Sequence, residues 1–312
     1  MSNSQHTSNI RRARFETINT RDTREAMDSA GHDFTVEMVP ITMPCGQVIY
    51  DKVATRRSDT GQYLGTVGRG YNPIQPVDFY NMAQELVDNT GGVINKTISM
   101  YGGAVIGISF ELAIREYVAG DQVALNFLMM TSFNSRYAIM GRALSRRFFC
   151  ENQLASSQRL FNIKNTINNT PRLEVATKML SYYGREMDDF DNNMRMLTKY
   201  RMNDDQAVDW FRKLLPAPAK GSKRSNSYHD NVTEDFTDLL VKGKGTNHPG
   251  VRGTGYGALN ALTEHCNHNR STRVSPGRTE EEVRFESVTF GTADAMMQSG
   301  FASLVKMAKE GT

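Results

Sequence analysis

Few cysteines and no long apolar runs occur among the 312 residues of this chain. The three cysteines, Cys45, Cys150 and Cys266, are far apart and odd in number, which argues against a disulfide framework. No run of about 20 apolar residues could span a membrane, and the polar N-terminal segment lacks the apolar stretch of a secretory signal. We therefore expect a cytoplasmic protein that has no contact with a membrane.

Motifs for cofactors and catalysis are also missing. There is no Walker motif, and no strand pattern precedes the glycine-rich segment near the C-terminus, as a dinucleotide fingerprint requires. His265 and His268 can share a helix face, but Cys266 points elsewhere and no second pair of zinc ligands is visible. No pattern ties a histidine to Cys150 as a base. We therefore expect no cofactor, no metal site and no enzymatic activity. A hydrolase that uses Cys150 or the late histidines is the weakest alternative.

Acidic residues are scarce in one part of an otherwise balanced chain. In total, the chain has 37 lysines and arginines and 34 aspartates and glutamates. Between residues 131 and 172, seven cations accompany one acid for a net charge of +6, whereas residues 173–213 carry seven cations and eight acids, a net of −1. Such a concentration of positive charge attracts polyanions. The alternative is that these side chains are scattered over a solvated surface.

Hydrophobic periodicity predicts an α+β fold in which an antiparallel β-meander packs with helices. Apolar residues alternate from Ala104 to Ile114, and short turns connect this strand to its neighbours. A helix begins near Pro76, before the meander. The composition divides the chain into a flexible basic arm (1–30), an α+β core (31–215), a linker or mobile loop (216–230) and a C-terminal helical portion (231–312).

The longest helix is expected from about Arg172 to Tyr200. Eight apolar residues from Leu173 to Leu197 are spaced alternately three and four apart, as in a coiled-coil seam. Such a seam could mediate self-assembly. The alternative is an amphipathic helix that packs on its own domain.

Cationic and aromatic residues meet in the segment SRRFFCENQ, at the end of the meander. Arginines and lysines neutralise phosphates, and rings such as those of Tyr137 or Phe148 stack on exposed bases. We interpret Cys150 and Asn152 as structural, a buried thiol and a helix cap. The predicted contacts to single-stranded DNA are Arg136, Tyr137, Arg142, Arg146, Arg147, Phe148, Arg159 and Lys164.

A glycine-rich segment, HPGVRGTGYGALNAL, precedes a helix. Backbone N–H groups at the start of that helix could hold a phosphate, in particular one of a DNA backbone. The candidate phosphate loop consists of Arg252, Gly253, Thr254 and Gly255. The alternative is a tight loop that packs on the domain.

Four segments carry a family resemblance: GYNPIQPVDFYNMAQELV, SMYGGAVIGISFEL, RRFFCENQL with FNIKNT, and GTGYGALNALTEHCNHNR. Together they resemble a phage- and plasmid-borne family of unknown function that is often labelled phage/plasmid-like protein, over about residues 34–301. Phe148 and Phe149 depart from the small or β-branched residues that the family usually has there. The order of helix, β-meander and helix is also similar to the core of phage single-strand annealing proteins of the Redβ, RecT and Erf type.

The resemblance implies a phage or plasmid protein of DNA metabolism that binds single-stranded DNA and anneals complementary strands in recombination without ATP. It further implies a homo-oligomer, either a ring or a filament, and a phage exonuclease or single-strand binding protein as a partner. A phage-encoded protein would act in the host cytoplasm. The alternative function is an oligomeric phage assembly or interaction protein with no DNA-binding activity, for which the helical seam would be the working surface.

Overall fold

The computed structural model of the protein describes residues 13–147, 153, 159–164, 187–216 and 222–311. Within these ranges the chain forms antiparallel sheets and α-helices, and the predicted α+β class is confirmed. The strands are β1 (Arg14–Thr20), β2 (Val36–Thr42), β3 (Val48–Arg57), β4 (Tyr63–Gly68), β5 (Val93–Met100), β6 (Val105–Val118), β7 (Asp121–Ser132), β8 (Ile139–Arg147) and β9 (Arg159–Ile163). None of the described helices is both long enough and apolar enough to cross a membrane.

Helices follow the meander and also flank it. They are α1 (Thr23–Ser29), α2 (Pro76–Thr90), α3 (described over 187–199), α4 (Asp204–Leu214), α5 (Lys223–Lys242), α6 (Gly255–Glu264), α7 (Glu280–Phe290) and α8 (Thr292–Glu310). As predicted, α2 starts with Pro76 in its first turn, and it ends at Gly91 in the left-handed conformation, with φ of 68°. A turn of π-helix, His265–Asn269, continues α6.

The predicted meander is the centre of a six-stranded sheet with the order β1-β5-β6-β7-β8-β9, while β2, β3 and β4 form a separate three-stranded sheet. On β6 the alternation places Ile106, Ile108 and Phe110 in the core against α2. The opposite face of β6 carries Ser109 and Glu111. Beyond Glu111 the register shifts, and Ile114 is exposed, so the buried face ends earlier than the sequence predicts.

Two layers of helices cover the sheet. On one face, α1 and α2 form a core with β5, β6 and β7, and further along the strands α3 to α6 and α8 form a second core. On the other face, α7 places Phe285 and Phe290 over a smaller cluster that contains Ile98 and Leu128. The C-terminal helices therefore share their core with the sheet.

Two predicted boundaries were wrong. Residues 14–20 are not part of a flexible arm, because they pair with β5 and Phe15 packs on Phe285 with ring centroids 5.1 Å apart. The described part of the predicted linker, beyond residue 222, is the start of α5, because the Ser222 hydroxyl caps the helix by accepting from the Ser225 N–H. Residues 1–12 and 217–221 lie outside the described residues.

The described half of the predicted helical seam is internal. Met187, Phe190, Met194 and Leu197 are buried in the chain's own core, which also contains Trp210. These four residues therefore confirm the amphipathic alternative and cannot form a self-assembly surface in this fold. The earlier seam positions, from Leu173 to Tyr183, lie outside the described residues.

Candidate functional site

Arg147 is buried in a network that joins the sheet to α6. Its Nε donates to Asp121 Oδ1 at 2.8 Å, and its Nη2 lies 2.8 Å from Asp121 Oδ2. Its Nη1 donates to Asn260 Oδ1 and to the Gly245 carbonyl, both at 2.6 Å, while the Tyr256 hydroxyl donates to Asp121. The guanidinium is 0% exposed. The prediction that Arg147 contacts a phosphate is therefore wrong for this fold, because its charge is balanced inside the protein.

Arg142 is buried as well, on the opposite face of the sheet. Its Nη2 donates to Asp294 Oδ2 at 2.6 Å, and its Nη1 donates to the Thr289 carbonyl at the end of α7. The residue is 3% exposed. From the sequence, an arginine on the strand face opposite the apolar residues is expected to face solvent. In the structure, α7 and α8 cover Arg142. Its prediction as a DNA contact is therefore also corrected.

Arg136 and Tyr137 bind a carboxylate of α7. Glu286 accepts hydrogen bonds from Tyr101 and Tyr137 at 2.7 Å and from Arg136 Nε at 3.1 Å, and Arg278 adds a bond at 2.5 Å. Burial by itself would raise the pKa of Glu286, but the tyrosine hydrogen bonds and the charges of both arginines hold it below its ordinary value. Arg136 is partly exposed at the rim of this cluster, and both its Nε and its Nη2 donate to Glu286.

The other predicted contacts are dispersed. Arg159 pairs with Arg142 in the β8–β9 register, and Lys164 is exposed just after β9. Phe148, together with Cys150 and Asn152, lies outside the described residues. Arg146, another of the eight predicted residues, lines a cavity.

The candidate phosphate loop packs on the protein. The Gly255 N–H donates to the Tyr200 carbonyl at 2.8 Å, and the Thr254 hydroxyl accepts from the Gly257 N–H at 3.1 Å. Arg252 pairs with Asp204 at 2.8 Å. Because these donors at the start of α6 are used within the fold, the tight-loop alternative explains the segment better than a phosphate site.

In the late histidine segment, His265 and Cys266 are buried within the fold. Burial raises the pKa of the Cys266 thiol to about 12, so the nucleophilic thiolate is disfavoured. His265 Nδ1 lies 2.5 Å from Asp235 Oδ2, beside the ring of Phe211. Within the described ranges, no three or more His, Cys, Asp and Glu side chains are placed to hold a metal ion.

Arg146 lines an open cleft of about 300 Å³ on the sheet face that α7 partly covers. We call it the sheet cleft. Strands β1, β5, β6, β7 and β8 form its floor, and Phe285 of α7 forms a wall. Its described lining is Thr17, Asn95, Lys96, Ile98, Ser109, Glu111, Ala124, Asn126, Leu128, Leu144, Arg146, Gln153 and Phe285.

A pair of asparagine amides forms the polar centre of the sheet cleft. The strand pairing shifts between Ile94 and Lys96, so Asn95 is an extra residue on β5, and both Asn95 and Lys96 line the cleft. Asn95 Nδ2 donates to Asn126 Oδ1 at 3.0 Å. Asn95 Oδ1 is buried and has no hydrogen-bond partner among the described residues. This oxygen is therefore enclosed at the floor of the cleft and unpaired within the described part of the chain.

Charge and aromatic surface surround these amides. Lys96 on β5 and Arg146 on β8 lie on opposite sides, and with Glu111 they give the described lining a formal net charge of +1. Three strand spacings of about 4.8 Å, or about 14 Å in total, separate β5 from β8. Phe285 packs on Phe15 beside the cleft. Cations on two sides of a polar floor, with an aromatic wall, suit an anionic ligand with planar polar groups.

Residues 63–289 match the family described as Domain of unknown function (DUF932). The chain belongs to this family. The match begins with β4 and ends in the last turn of α7, so it includes the whole described lining of the sheet cleft except Thr17. No curated protein and no solved structure matches the chain. The predicted membership of a family of unknown function is confirmed, whereas a phage origin and a similarity to annealing proteins stay predictions.

Most lining residues of the sheet cleft in this DUF932 protein were not predicted from the sequence. Asn126 is a lone amide in the apolar strand segment VALNFLMM, and Asn95 with Lys96 interrupts the apolar pattern of β5. Ser109 and Glu111 occupy alternate positions of β6, opposite its apolar face. Polar residues inside strands otherwise made of core residues were thus an available signal, although only the fold shows that they meet.

Proposed function

We propose that this DUF932 protein binds single-stranded DNA and that the sheet cleft is its binding site. The observation that supports this most directly is the lining itself, in which Lys96 and Arg146 flank an amide floor next to Phe285. Proteins that hold single strands combine cations that track the phosphates with aromatic rings that stack on bases. Duplex DNA keeps its bases stacked inside, so a cleft of this size favours a single strand.

Affinity would come mainly from the phosphates. A single strand releases counterions when cations replace them, so the logarithm of the binding constant falls with the logarithm of the salt concentration by about 0.7 per phosphate contact. If Lys96 and Arg146 each contact one phosphate, removing both should lower that slope by about 1.4. Lys164 and Arg136, which lie outside the cleft lining, could add further contacts along the strand.

Annealing belongs to the same proposal as a later step. The resemblance to the Redβ, RecT and Erf proteins implies strand annealing without ATP, by a homo-oligomer that works with an exonuclease or a single-strand binding protein. The buried seam residues give no support to a helical interface as the means of assembly. A different surface would have to join the subunits.

The second candidate is an assembly or interaction protein without DNA-binding activity. It is favoured by the apolar and aromatic residues that the three-stranded sheet and its β2–β3 turn expose, because Tyr50, Tyr63 and Met43 are 70%, 59% and 46% exposed. Apolar and aromatic side chains exposed on one sheet can contribute to a contact with another protein. On this alternative the cleft residues would be irrelevant to activity, so the DNA measurement discriminates the two candidates.

The deciding experiment is a fluorescence-anisotropy titration of a labelled oligonucleotide, single-stranded and then duplex, at two salt concentrations. We expect salt-sensitive binding that prefers the single strand, and weaker binding with a shallower salt slope for Lys96→Ala combined with Arg146→Ala. The matched control is Lys242→Ala with Lys306→Ala, which removes the same charge from exposed helix positions. Absence of binding at low salt, or an equal loss in the control, would contradict the proposal.

A further inference from the structure

The three-stranded sheet has one face fixed against the rest of the protein. Thr55 of β3 is fully buried, and its hydroxyl donates to the Phe133 carbonyl at 2.7 Å. Its partner on β4, Gly65, packs so closely that a Cβ there would lie 2.4 Å from Asn134 Cβ. Because side chains alternate along a strand, Arg56, the next residue of β3, points away from this contact. The opposite face of the sheet is therefore turned to solvent on a firmly held support.

Two tyrosines are exposed on the solvent side of this sheet. Tyr63 on β4 is 59% exposed, and Tyr50 near the start of β3 is 70% exposed. The Tyr63 hydroxyl lies 2.8 Å from the Thr66 hydroxyl oxygen, which orients the ring. The strand positions between the two tyrosines include small residues, namely Ala54, Thr66 and Gly68. The two rings thus stand at the sides of a low surface.

Cations accompany both rings. The Arg69 guanidinium lies over the ring of Tyr50, with its carbon 5.9 Å from the ring centroid. Arg56 is the strand partner of the other tyrosine and pairs with Glu37 at 2.7 Å. The charges on and beside this surface are three cations and two acids, a formal net of +1, namely Lys52, Arg56, Arg69, Glu37 and Asp51. Each aromatic ring is therefore next to a positive charge.

We propose that this surface, formed by Tyr50, Tyr63 and the cations beside them, binds single-stranded DNA by stacking bases on the two rings. We call it the tyrosine face. The inference rests on the proposed single-strand binding and gives the strand a second contact outside the sheet cleft. Sheets that bind single strands stack bases on exposed aromatic side chains, and nearby cations hold the phosphates. The centre of a protein contact is instead apolar and poor in charge, whereas charged residues flank these rings.

Stacking has a consequence for annealing. A tyrosine ring covers the flat side of a base and leaves its hydrogen-bonding edge open. Every base has such a flat side, so the tyrosine face should bind strands of any sequence. Bases held in this way could still pair with a complementary strand. The tyrosine face would thus present bases for pairing while the protein stays bound.

The test measures the affinity of a labelled single strand for Tyr50→Ala combined with Tyr63→Ala. Stacking on one ring contributes about fivefold or more, so the double variant should bind about 25-fold more weakly or worse. Because no charge changes, the salt slope should keep its wild-type value. Tyr50→Phe with Tyr63→Phe keeps both rings and should retain the affinity. The matched control is Tyr228→Ala, which removes a 52% exposed tyrosine from α5.

The outcomes separate this inference from the proposed function. If wild type binds no single strand, the proposed function fails and the tyrosine face fails with it. If Lys96→Ala with Arg146→Ala weakens binding but the tyrosine-to-alanine variant does not, only the tyrosine face is overturned. If the alanine variant binds DNA normally but changes the oligomeric state in sedimentation, the surface is a protein contact and the inference is also overturned.

Two further results decide the remaining cases. An equal loss of affinity in Tyr228→Ala would overturn the inference, because the effect would not belong to this surface. If the double alanine variant does not fold, photo-cross-linking of wild type to a strand that carries halogenated uracils decides. Attachment at Tyr50 or Tyr63 would support the tyrosine face, and attachment at other residues alone would overturn it.

Discussion

Replacing Arg147 by alanine should destabilise the protein strongly. The guanidinium is fully buried and contacts Asp121 through two nitrogens, each 2.8 Å from a carboxylate oxygen. It also bonds Asn260 and the Gly245 carbonyl at 2.6 Å. Truncation leaves the charge of Asp121 in the interior, with the Tyr256 hydroxyl as a hydrogen-bond partner. Removing one member of a buried ion pair costs about 3–5 kcal/mol, because the other charge is left without compensation.

The free energy of unfolding, measured by urea denaturation, is the appropriate quantity. Thermal midpoints of proteins somewhat smaller than this one move by about 2–4 °C for each kcal/mol, so a decrease of at least about 6 °C should accompany the loss. The control is Arg56→Ala, because Arg56 pairs with Glu37 at 2.7 Å while both side chains are more than 40% exposed. An exposed pair of this kind contributes less than about 1 kcal/mol.

A charge-neutral double variant tests the physical reason. Arg147→Met with Asp121→Leu removes both charges, so it should recover a large part of the stability that Arg147→Ala loses. A loss below about 1 kcal/mol for Arg147→Ala, similar to the control, would refute the reasoning. It would mean that the guanidinium is solvated in solution, and the sequence-based prediction of a phosphate contact would be open again.

Two further predictions concern α7 and α6. Because the folded pKa of Glu286 is lowered, its contribution to stability is present above its unfolded pKa of about 4.3 and is lost as the pH falls through the lower folded value. Thermal midpoints of wild type and Glu286→Gln should therefore differ most at neutral pH and converge in acid, and a constant difference would contradict this. Gly257→Ala should destabilise by roughly 1–3 kcal/mol, because its Cβ would lie 2.5 Å from the Val251 carbonyl oxygen. Urea denaturation measures the loss, Gly68→Ala is the control since nothing lies within 4 Å there, and equal stability of both variants would contradict the steric reason.

Elements with a strong local signal were predictable from the sequence. The helix start at Pro76 and the alternation along β6 both correspond to the structure, and the spacing of Asn203 and Gln206 is a local signal of the same kind for the start of α4. The capping pair of α4 is reciprocal, since Gln206 also accepts from the Asn203 backbone. These features depend on residues within one or two turns of each other, so sequence spacing was sufficient.

Elements with a polar sequence were missed because tertiary contacts define them. Strand β1 has a polar sequence, and it is ordered by pairing with β5 and by the contact of Phe15 with α7. Helix α7 is fixed where Glu286 meets Arg136, a residue 150 positions earlier. The burial of Arg142 depends in the same way on Asp294, 152 positions later. Local patterns contain no information about partners at such separations.

The consecutive arginines of SRRFFCENQ show how one strand serves both stability and the candidate site. Side chains alternate across a strand, so Arg146 and Arg147 must point to opposite faces of the sheet. Arg147 enters the buried network with Asp121 and Asn260, whereas Arg146 lines the sheet cleft. The network anchors the end of β8 to α6 and to the first residue of β7, which fixes the backbone from which Arg146 projects. The basic cluster that the sequence presents as one DNA-binding surface is therefore divided by the sheet, and Arg147 contributes to the cleft by positioning its neighbour.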